Sequence, residues 1–460
     1  MTLLKQREKG ARKTLNPGQI LALGFLVLIL AGGLLLTLPA ASATGQSLGL
    51  LKGMFTATSA VCVTGLTLIE AGVELSGFGQ AILLMLIQVG GLGFMAFASL
   101  GMVLIGRKIS LRGRMLLGEA MNQTNMTGMV RLSLWFFLMA MTIELTGAAV
   151  LCTRLIPQYG VGKGIWMSVF TAISAFCNAG FDLFGQYNSI IGCQQDPTVL
   201  LTLCMLILLG GLGFAVILEI LNLRSGSRRL SLHAKLVLVM NGVLVFGGML
   251  LFYLMERTNP ATLAREGLTE WDRWVNALTQ SITCRTAGFA SIDQGLMKPS
   301  SKILSCLFMF IGASPASTGG GVKTVTFAVA GLMVWAVIRG REHITVFGKE
   351  ISMNTAKRAV AIIVIALVMV LIVTCALTIL EDGNGFDTLD LAYETVSAVT
   401  TTGLSAMGTG NLRAASQILL MPLMYLGRVG PLTLAVALAQ RMNSSVKNRV
   451  RHPEENVMIG

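Results

Sequence analysis

Eight stretches of the 460-residue sequence are mainly apolar over about 20 residues or more, the length that an α-helix needs to cross a membrane. Hydrophobic residues make up 54% of the chain and charged residues 12%, which is about half the usual share. A soluble fold could not bury so much apolar side chain, so a soluble enzyme, a disordered chain and a nucleic-acid binder are excluded. The sequence predicts an integral membrane protein with spans at 19–41, 81–106, 130–152, 198–221, 236–255, 303–338, 359–380 and 418–439.

The positive charge of the chain, +13 at neutral pH, follows a topological pattern. Most of the lysines and arginines cluster in five regions that are separated by even numbers of predicted spans. Basic segments remain in the cytoplasm, so both termini are expected to be cytosolic. The charge therefore needs no nucleic-acid partner. The five regions are 5–13, 107–131, 224–235, 339–358 and 441–451.

A shorter apolar piece of about 10 to 14 residues lies within each pair of spans and is too short to cross a membrane. When the four pieces are stacked, each ends in a glycine that follows Ala or Thr and precedes Leu or Phe. The repeating unit is a span, a half-helix, a glycine loop and a second span. The sequence thus predicts an all-α membrane fold with eight transmembrane helices, in which four such repeats surround one pseudo-fourfold pore. The four glycines are Gly65, Gly180, Gly288 and Gly403.

The glycine loops suit a cation pathway. A half-helix that points its C-terminus at the membrane centre presents a negative dipole end, and the loop after it can turn carbonyl oxygens toward a dehydrated cation. Glycine is required where the chain adopts a positive φ or approaches a neighbouring repeat closely. No ring of carboxylates is present at the loops, so a monovalent cation is expected. For the Gly-Gly-Leu-Gly-Phe segments at 90–94 and 210–214, simple close packing of helices remains equally open.

These loops, the Gly-Gly-Leu-Gly-Phe helices, the segment 311–324 and Gly427-Arg428-Val resemble the Trk/Ktr/HKT superfamily of potassium transporters. The eight-span length resembles the ion-translocating membrane subunit of bacterial Ktr systems, over about residues 19–439. The resemblance implies potassium uptake across the bacterial cytoplasmic membrane. An intramembrane enzyme is not expected, because the sequence lacks the H-E-x-x-H and G-x-S-x-G motifs. It also implies a homodimer with one pore per subunit, a cytosolic ring of RCK/KTN-type regulatory subunits that bind ATP or ADP, and Na⁺ as a candidate activator.

The resemblance also identifies a potassium selectivity filter that binds K⁺ mainly through backbone atoms. In this family a serine at the first filter glycine accompanies sodium transport, whereas this chain has Gly65 there. The expected filter residues are Val61, Cys62, Val63, Thr64 and Gly65; Cys177, Asn178, Ala179 and Gly180; Arg285, Thr286, Ala287 and Gly288; and Thr400, Thr401, Thr402 and Gly403.

The stretch 303–338 is too long for one span and is interrupted by small residues, which cannot face lipid. The resemblance implies that this interruption is an intramembrane loop below the filter that acts as a gate. A helix kink is the alternative. Arg428, midway along the last predicted span, matches a family arginine that acts as an electrostatic barrier to cations; a structural salt bridge is the alternative. The expected gate residues are Gly312, Ala313, Ser314, Pro315, Ala316, Ser317, Thr318, Gly319, Gly320, Gly321, Lys323 and Arg428.

Four acidic residues each have two candidate roles. Glu144 and Glu219 lie in predicted spans and could pair with Lys323 or serve as structural carboxylates. Asp182 and Asp293 follow filter glycines and could concentrate cations at the outer mouth, or be solvated loop charges.

The alternative function is an alternating-access carrier for Na⁺ or K⁺ in the same superfamily. The expected organisation is a cytosolic segment at 1–18, repeats at 19–110, 111–235, 236–350 (with an intramembrane loop at 312–324) and 351–440, and a cytosolic tail at 441–460.

Overall fold

A computed structural model describes residues 17–93, 129–185, 188–224 and 230–430. The regular secondary structure of this part of the chain is helical, as the sequence predicts, except for one two-stranded hairpin that the sequence does not predict. The helices of the first two repeats are α1 (Pro17–Leu36), α2 (Leu50–Cys62), α3 (Ala71–Glu74), α4 (Gly77–Leu92), α5 (Met129–Tyr159), α6 (Val161–Phe176), α7 (Pro197–Gly211) and α8 (Phe214–Arg224). The later elements are α9 (Leu232–Glu256), α10 (Glu270–Thr283), α11 (Pro299–Phe310), α12 (Thr324–Ile338), β1 (Ile344–Val346), β2 (Lys349–Ile351), α13 (Met353–Leu380), α14 (Thr388–Thr400) and α15 (Ala414–Val429).

The first helix of each repeat crosses a membrane. Among the described residues, α1, α5, α9 and α13 are long and apolar enough to do so on their own. Their outer faces carry large apolar side chains that protein does not cover, such as Leu371 and Ile372, each 64% exposed, and Ile379, 76% exposed. Lipid covers such a surface, so the chain is a multi-pass membrane protein.

The four predicted half-helices are α2, α6, α10 and α14, which contain 13 to 16 residues each. Each packs against the long first helix of its own repeat. The start of α10 is fixed by a capping box, in which the Thr269 hydroxyl accepts from the Asp272 backbone N–H at 3.2 Å and the Asp272 carboxylate accepts from the Thr269 N–H at 3.0 Å. Such helices enter the membrane and stop before crossing it.

The second helices of the second and third repeats are broken. The predicted span 198–221 is not one straight helix, because α7 and α8 meet at 98°. Gly213 has a left-handed φ of +90°, and the next residue, Phe214, donates its N–H to the Ala316 carbonyl at 3.0 Å. The predicted interruption of 303–338 is present as a non-helical segment between α11 and α12. Helices α4 and α15 end just before Gly93 and Gly430, and the chain beyond them, including most of the basic regions 107–131 and 441–451, lies outside the described residues.

The second helices assemble the repeats into a ring. Helix α4 packs against the half-helices α2 and α6, and α7 packs against α6 and α10. Helix α11 packs against α14, and α15 packs against both α14 and α2. The contact of α15 with α2 joins the last repeat to the first. The four half-helices therefore surround one axis, as the predicted pseudo-fourfold arrangement requires.

Candidate functional site

The four half-helices end in the same backbone geometry. Two residues before each filter glycine lies a residue in the left-handed region, with φ between 54° and 67°; these are Val63, Asn178, Thr286 and Thr401. The glycines themselves, Gly65, Gly180, Gly288 and Gly403, have φ between 70° and 95°. In each loop, two residues with positive φ are therefore separated by one residue with negative φ. A positive φ costs a non-glycine residue about 1–3 kcal/mol, and it persists only where the surrounding structure enforces it. The same costly geometry at four equivalent places indicates a built site.

The four glycines form a closed ring. A Cβ on Gly65 would lie 2.7 Å from the Ala179 carbonyl oxygen. Likewise, a Cβ on Gly180 would lie 2.9 Å from the Ala287 oxygen, and one on Gly288 would lie 2.8 Å from the Thr402 oxygen. A Cβ on Gly403 would collide with the Thr64 oxygen, which returns the sequence of contacts to the first repeat. Each glycine therefore faces the carbonyl oxygen of the residue just before the filter glycine of the next repeat. A side chain at any of the four glycine positions would collide with that oxygen. We call Gly65, Gly180, Gly288 and Gly403 the filter ring.

Some predicted filter residues are not in the loops. Val61 and Cys62 form the end of α2, and Thr400 is the last residue of α14. Cys177 ends α6 in a right-handed conformation, and the side chain of Arg285 is buried with its Nε unpaired. The non-helical segment that ends at the filter glycine is therefore three residues long in the first and fourth repeats, four in the second and five in the third.

Two serines behind the filter ring were missed by the sequence analysis. The Ser59 hydroxyl accepts from the Gly65 N–H at 3.0 Å, and Ser397 accepts from the Gly403 N–H at 3.0 Å. A signal was present, since a serine lies six residues before the glycine in three of the four loops. Ser174 is the third, but its buried hydroxyl has no hydrogen-bond partner.

The Gly-Gly segments of the second helices allow close packing against the half-helices. A Cβ on Gly90, Gly210 or Gly427 would collide with the carbonyl of Val61, Phe176 or Val399, respectively. Each of these carbonyls lies four residues before a filter glycine. Glycine at these positions brings the second helix against the C-terminal end of the half-helix, which favours the packing interpretation that the sequence left open.

Residues 311–323, which we call the intramembrane loop, lie directly against the filter segments. The Thr318 hydroxyl donates to the Phe176 carbonyl at 3.0 Å, and the Thr318 N–H donates to the Gly210 carbonyl at 3.2 Å. Gly319 is close to the Thr286 hydroxyl and the Asn178 amide, and Gly320 to the Thr401 hydroxyl. These side chains come from three repeats, so the loop covers the filter on the side where the half-helices end.

Two cationic side chains hold this loop. The Arg428 guanidinium donates to the carbonyls of Thr318 and Gly90, and to that of Gly91 at 3.0 Å. The Lys323 ammonium donates to the Gly319 carbonyl at 2.6 Å and to the Gly320 carbonyl at 3.4 Å. Carbonyl contacts of this kind are one way to accommodate a charge at membrane depth. The two positive charges therefore lie beside the pathway that leaves the filter.

The structure gives Glu144 and Glu219 partners other than Lys323. Both oxygens of Glu144 accept from the Gln88 amide, at 3.1 and 3.0 Å. Glu219 accepts from the Ser231 N–H at 3.0 Å and from its hydroxyl at 2.9 Å. Glu219 thereby anchors the start of α9, which is consistent with a structural carboxylate.

Acidic side chains lie at the outer mouth. Glu70, Asp182 and Gly180 line one small cavity beside the filter ring. Burial of the Asp182 carboxyl group raises its pKa to about 6, although the Phe184 N–H donates to it at 3.0 Å. Asp293 is exposed and accepts from the Gly295 N–H at 2.8 Å within a turn.

A ring of carbonyl-flanked glycines inside a fourfold helical membrane fold defines a protein that conducts cations. Comparison with known proteins agrees, and the chain belongs to the TrkH family of cation transport proteins, whose family model matches residues 3–449. It is 38% identical to Ktr system potassium uptake protein B of Bacillus subtilis and 37% identical to potassium/sodium uptake protein NtpJ of Enterococcus hirae, with full coverage of both chains in each case. The Vibrio alginolyticus Ktr system protein B is 36% identical over 96% of this chain and 94% of its own.

A solved structure supports the fold. The crystal structure of the potassium transporter TrkH from Vibrio parahaemolyticus matches with a TM-score of 0.72, over 94% of this chain and 86% of that one. The sequence identity is 18%, so this likeness concerns the fold alone.

Proposed function

We propose that this protein takes up potassium across the bacterial cytoplasmic membrane through a gated, K⁺-selective, channel-like pore. The filter ring carries the proposal, because each of its glycines lies beside a carbonyl oxygen of the next repeat, which supports a pathway lined by carbonyls from all four repeats. Backbone carbonyls can replace the water around a cation that dehydrates readily. The names of the relatives, two of which are potassium uptake proteins and one a potassium/sodium uptake protein, support the choice of ion.

Monovalent selectivity follows from the donor set. The filter segments offer carbonyl and hydroxyl oxygens, and Gly65 leaves the first repeat without a side chain where a serine would add one. Divalent cations prefer carboxylate-rich sites. K⁺ is the transported ion in this proposal, bound in the filter, and Na⁺ is its competitor or an activator.

The intramembrane loop is the proposed gate. It fills the space next to the filter segments and brings the charges of Lys323 and Arg428 beside the exit. A cation that leaves the filter would meet both the loop and two positive charges. Transport then requires the loop to move, and a helix kink does not account for its contacts with three repeats.

Control by a separate protein completes the proposal. The relatives named as parts of a Ktr system support a regulatory partner, for which we propose a cytosolic RCK/KTN-type ring that binds ATP or ADP. The basic connections and both termini are proposed to face the cytoplasm and this ring. The proposed assembly is a homodimer with one pore per subunit.

The alternative is an alternating-access carrier for Na⁺ or K⁺, working as a symporter. Such carriers commonly contain inverted repeats and bind substrate at their interface. The four repeats here run in the same direction around a single axis, which favours a pore.

The decisive experiment is growth and rubidium uptake in a bacterium that lacks its own potassium uptake systems, with and without a co-expressed regulatory subunit. Wild-type protein should rescue growth at low potassium. Gly65→Ser should lose potassium selectivity, because its Cβ would lie 2.7 Å from the Ala179 oxygen at a φ of +95°. Absence of rescue by wild-type protein that is present in the membrane would remove the potassium assignment.

A further inference from the structure

Behind the third filter segment lies a buried polar network that the transport pathway does not use. The amides of Gln280 and Gln294 bind each other reciprocally, with Nε2 to Oε1 distances of 2.8 and 3.1 Å. The Tyr393 hydroxyl donates to Gln294 Oε1 at 2.8 Å. None of these side chains is more than 3% exposed. We call Gln280, Gln294 and Tyr393 the amide brace.

The hydrogen-bonding capacity of the Gln294 amide is fully used. Its nitrogen donates to Gln280 and also to the Ile292 carbonyl at 2.7 Å, and its oxygen accepts from both Gln280 and Tyr393. The Gln280 nitrogen also contacts the Ser305 hydroxyl at 3.4 Å on α11. A buried network that is fully satisfied fixes the relative positions of the elements that it joins.

The amide brace encloses a filter segment. Gln280 lies on the half-helix α10 before Gly288, and Gln294 lies in the chain after it. The amide pair therefore ties together the two ends of the loop that contains Thr286, Ala287 and Gly288. Tyr393 lies on α14 and connects this loop to the half-helix of the fourth repeat.

The first two repeats lack the polar side chains of Gln280 and Tyr393 at the equivalent positions. At the register of Gln280, eight residues before the filter glycine, the first two repeats have Ala57 and Ala172. At the register of Tyr393 those repeats have Phe55 and Phe170, which lack the hydroxyl. The core thus accepts apolar side chains at these positions, and burial alone does not require the polar groups.

The fourth repeat contains a comparable link. Thr409 lies six residues after its filter glycine, as Gln294 does in the third, and donates to Glu394 on α14 at 2.5 Å. Ser405 donates to the other Glu394 oxygen at 2.7 Å. The equivalent residue of the first repeat is Ala71, whose side chain cannot form such a bond. Side-chain hydrogen bonds across the filter segment therefore occur in the third and fourth repeats. Tyr393, which bonds to the third repeat, and Glu394, which bonds within the fourth, are consecutive residues of α14.

We infer that Gln280, Gln294 and Tyr393 are positioning residues that hold the third filter segment at the separation needed to select K⁺ over Na⁺. The inference rests on the proposed function. The three side chains do not contact the ion. They prevent the loop from contracting around Na⁺, the smaller cation. Only K⁺ then contacts enough carbonyl oxygens to compensate for the loss of its hydration water.

The test compares rubidium and sodium uptake by full-length variants that are co-expressed with the regulatory subunit in the potassium-uptake-deficient bacterium. Gln294→Met keeps the volume and removes the amide. It should lower the ratio of rubidium to sodium uptake by about fivefold or more, the order of change expected from one lost buried hydrogen bond. Tyr393→Phe should lower the ratio less, because the amide pair remains. Gln417→Met is the matched control, since Gln417 is a buried glutamine that donates to the Leu412 carbonyl at the outer end of α15.

A second measurement separates selectivity from folding. The unfolding temperature of purified protein in detergent should be higher in KCl than in NaCl, because an ion that binds only the folded state stabilises it. Gln294→Met should reduce the difference between the unfolding temperatures in KCl and NaCl. Gln417→Met should leave this difference unchanged, even if it lowers both temperatures. If Gln294→Met does not accumulate in the membrane, Tyr393→Phe decides the matter in both assays.

The outcomes for the brace and for the proposed function are distinct. A wild-type protein without preference for K⁺ would overturn the proposed function whatever the variants do. A wild-type protein that prefers K⁺, together with Gln294→Met and Tyr393→Phe variants that keep the full preference, would overturn the role of the brace.

Discussion

The intramembrane loop contacts the residues that lie two positions before three of the filter-ring glycines, yet the ring and the loop are built in opposite ways. All four repeats contribute one left-handed glycine to the ring, and each glycine contacts the next repeat's backbone. The loop comes from the third repeat alone and contacts side chains of the second, third and fourth. The proposed selectivity thus depends on a symmetric feature of the backbone, whereas the proposed control depends on one asymmetric insertion. Variants that affect one region and not the other test this division.

The largest effect is expected from Gly403→Ala in the ring. The new Cβ would collide with the Thr64 carbonyl at a φ of +88°, so the fourth segment cannot remain in place. Uptake of rubidium should fall to background, since a displaced carbonyl removes a ligand that no other repeat supplies. Gly408→Ala is the control, because it carries a similar conformational cost at φ +75° but meets only the Asn411 side chain, at 3.1 Å. Equal losses in both variants would show that strain, and not the ring, is responsible.

The ring could be predicted from the sequence because its determinants are local. A positive φ and a close approach both demand glycine, and a glycine that recurs at the end of four short apolar segments is visible without a structure. The supporting serines were less visible. Ser59 and Ser397 bind filter N–H groups, but Ser174, at the same register, does not, and the third repeat has Ile282 there.

The breaks in the second helices could not be predicted, apart from the long stretch 303–338. Hydropathy measures composition, and α7 with α8 has the composition of one span although the two meet at 98°. The bend depends on Ala316, a residue of the intramembrane loop that is distant in sequence. The hairpin of β1 and β2 was also missed, since strands of three residues between charged residues give no periodic signal.

The next largest effect is expected at the loop, from Arg428→Gln. This change removes a positive charge beside the exit and weakens the hydrogen bonds that hold Thr318, Gly90 and Gly91. Basal uptake without the regulatory subunit should rise by roughly tenfold, which corresponds to a barrier lower by about 1.4 kcal/mol. Selectivity for rubidium over sodium should be retained, because the ring is unchanged.

Arg413→Gln is the control for Arg428. Arg413 also donates to backbone carbonyls, those of Leu380 at 2.8 Å and Asp382 at 3.0 Å, but at the outer end of α15. It should leave basal uptake and its regulation unchanged. If Arg428→Gln also has no effect on either, Arg428 serves helix packing and the division between filter and gate loses its main support.

A smaller effect is expected from Ser59→Ala, which leaves the buried Gly65 N–H without its hydroxyl partner. The loss should cost about 1–3 kcal/mol of unfolding free energy and lower the affinity for rubidium modestly. Ser174→Ala is matched in register and burial but removes a hydroxyl without a hydrogen-bond partner, so its stability should change little. Thermal unfolding in detergent compares the two directly. Similar losses would mean that the first two segments are supported alike, and that the ring is more symmetric than its hydrogen bonds indicate.

The smallest effect concerns the outer face of the ring, where the second repeat alone has an acid two residues after its glycine. The other repeats have Thr67, Ala290 and Ser405 at that position. Burial raises the pKa of Asp182 to about 6, with the neighbouring Glu70 charge adding to the increase, so the carboxylate is charged above that pH and becomes neutral below it. A negative charge at the mouth attracts cations, and its loss should raise the KM for rubidium by about twofold as the external pH falls through about 6.

Asp182→Asn should have the raised KM at every pH, whereas Asp293→Asn, at an exposed turn, should keep the wild-type profile. A pH profile that survives in Asp182→Asn would assign the titration to another group and leave the outer face of the ring as symmetric as its centre.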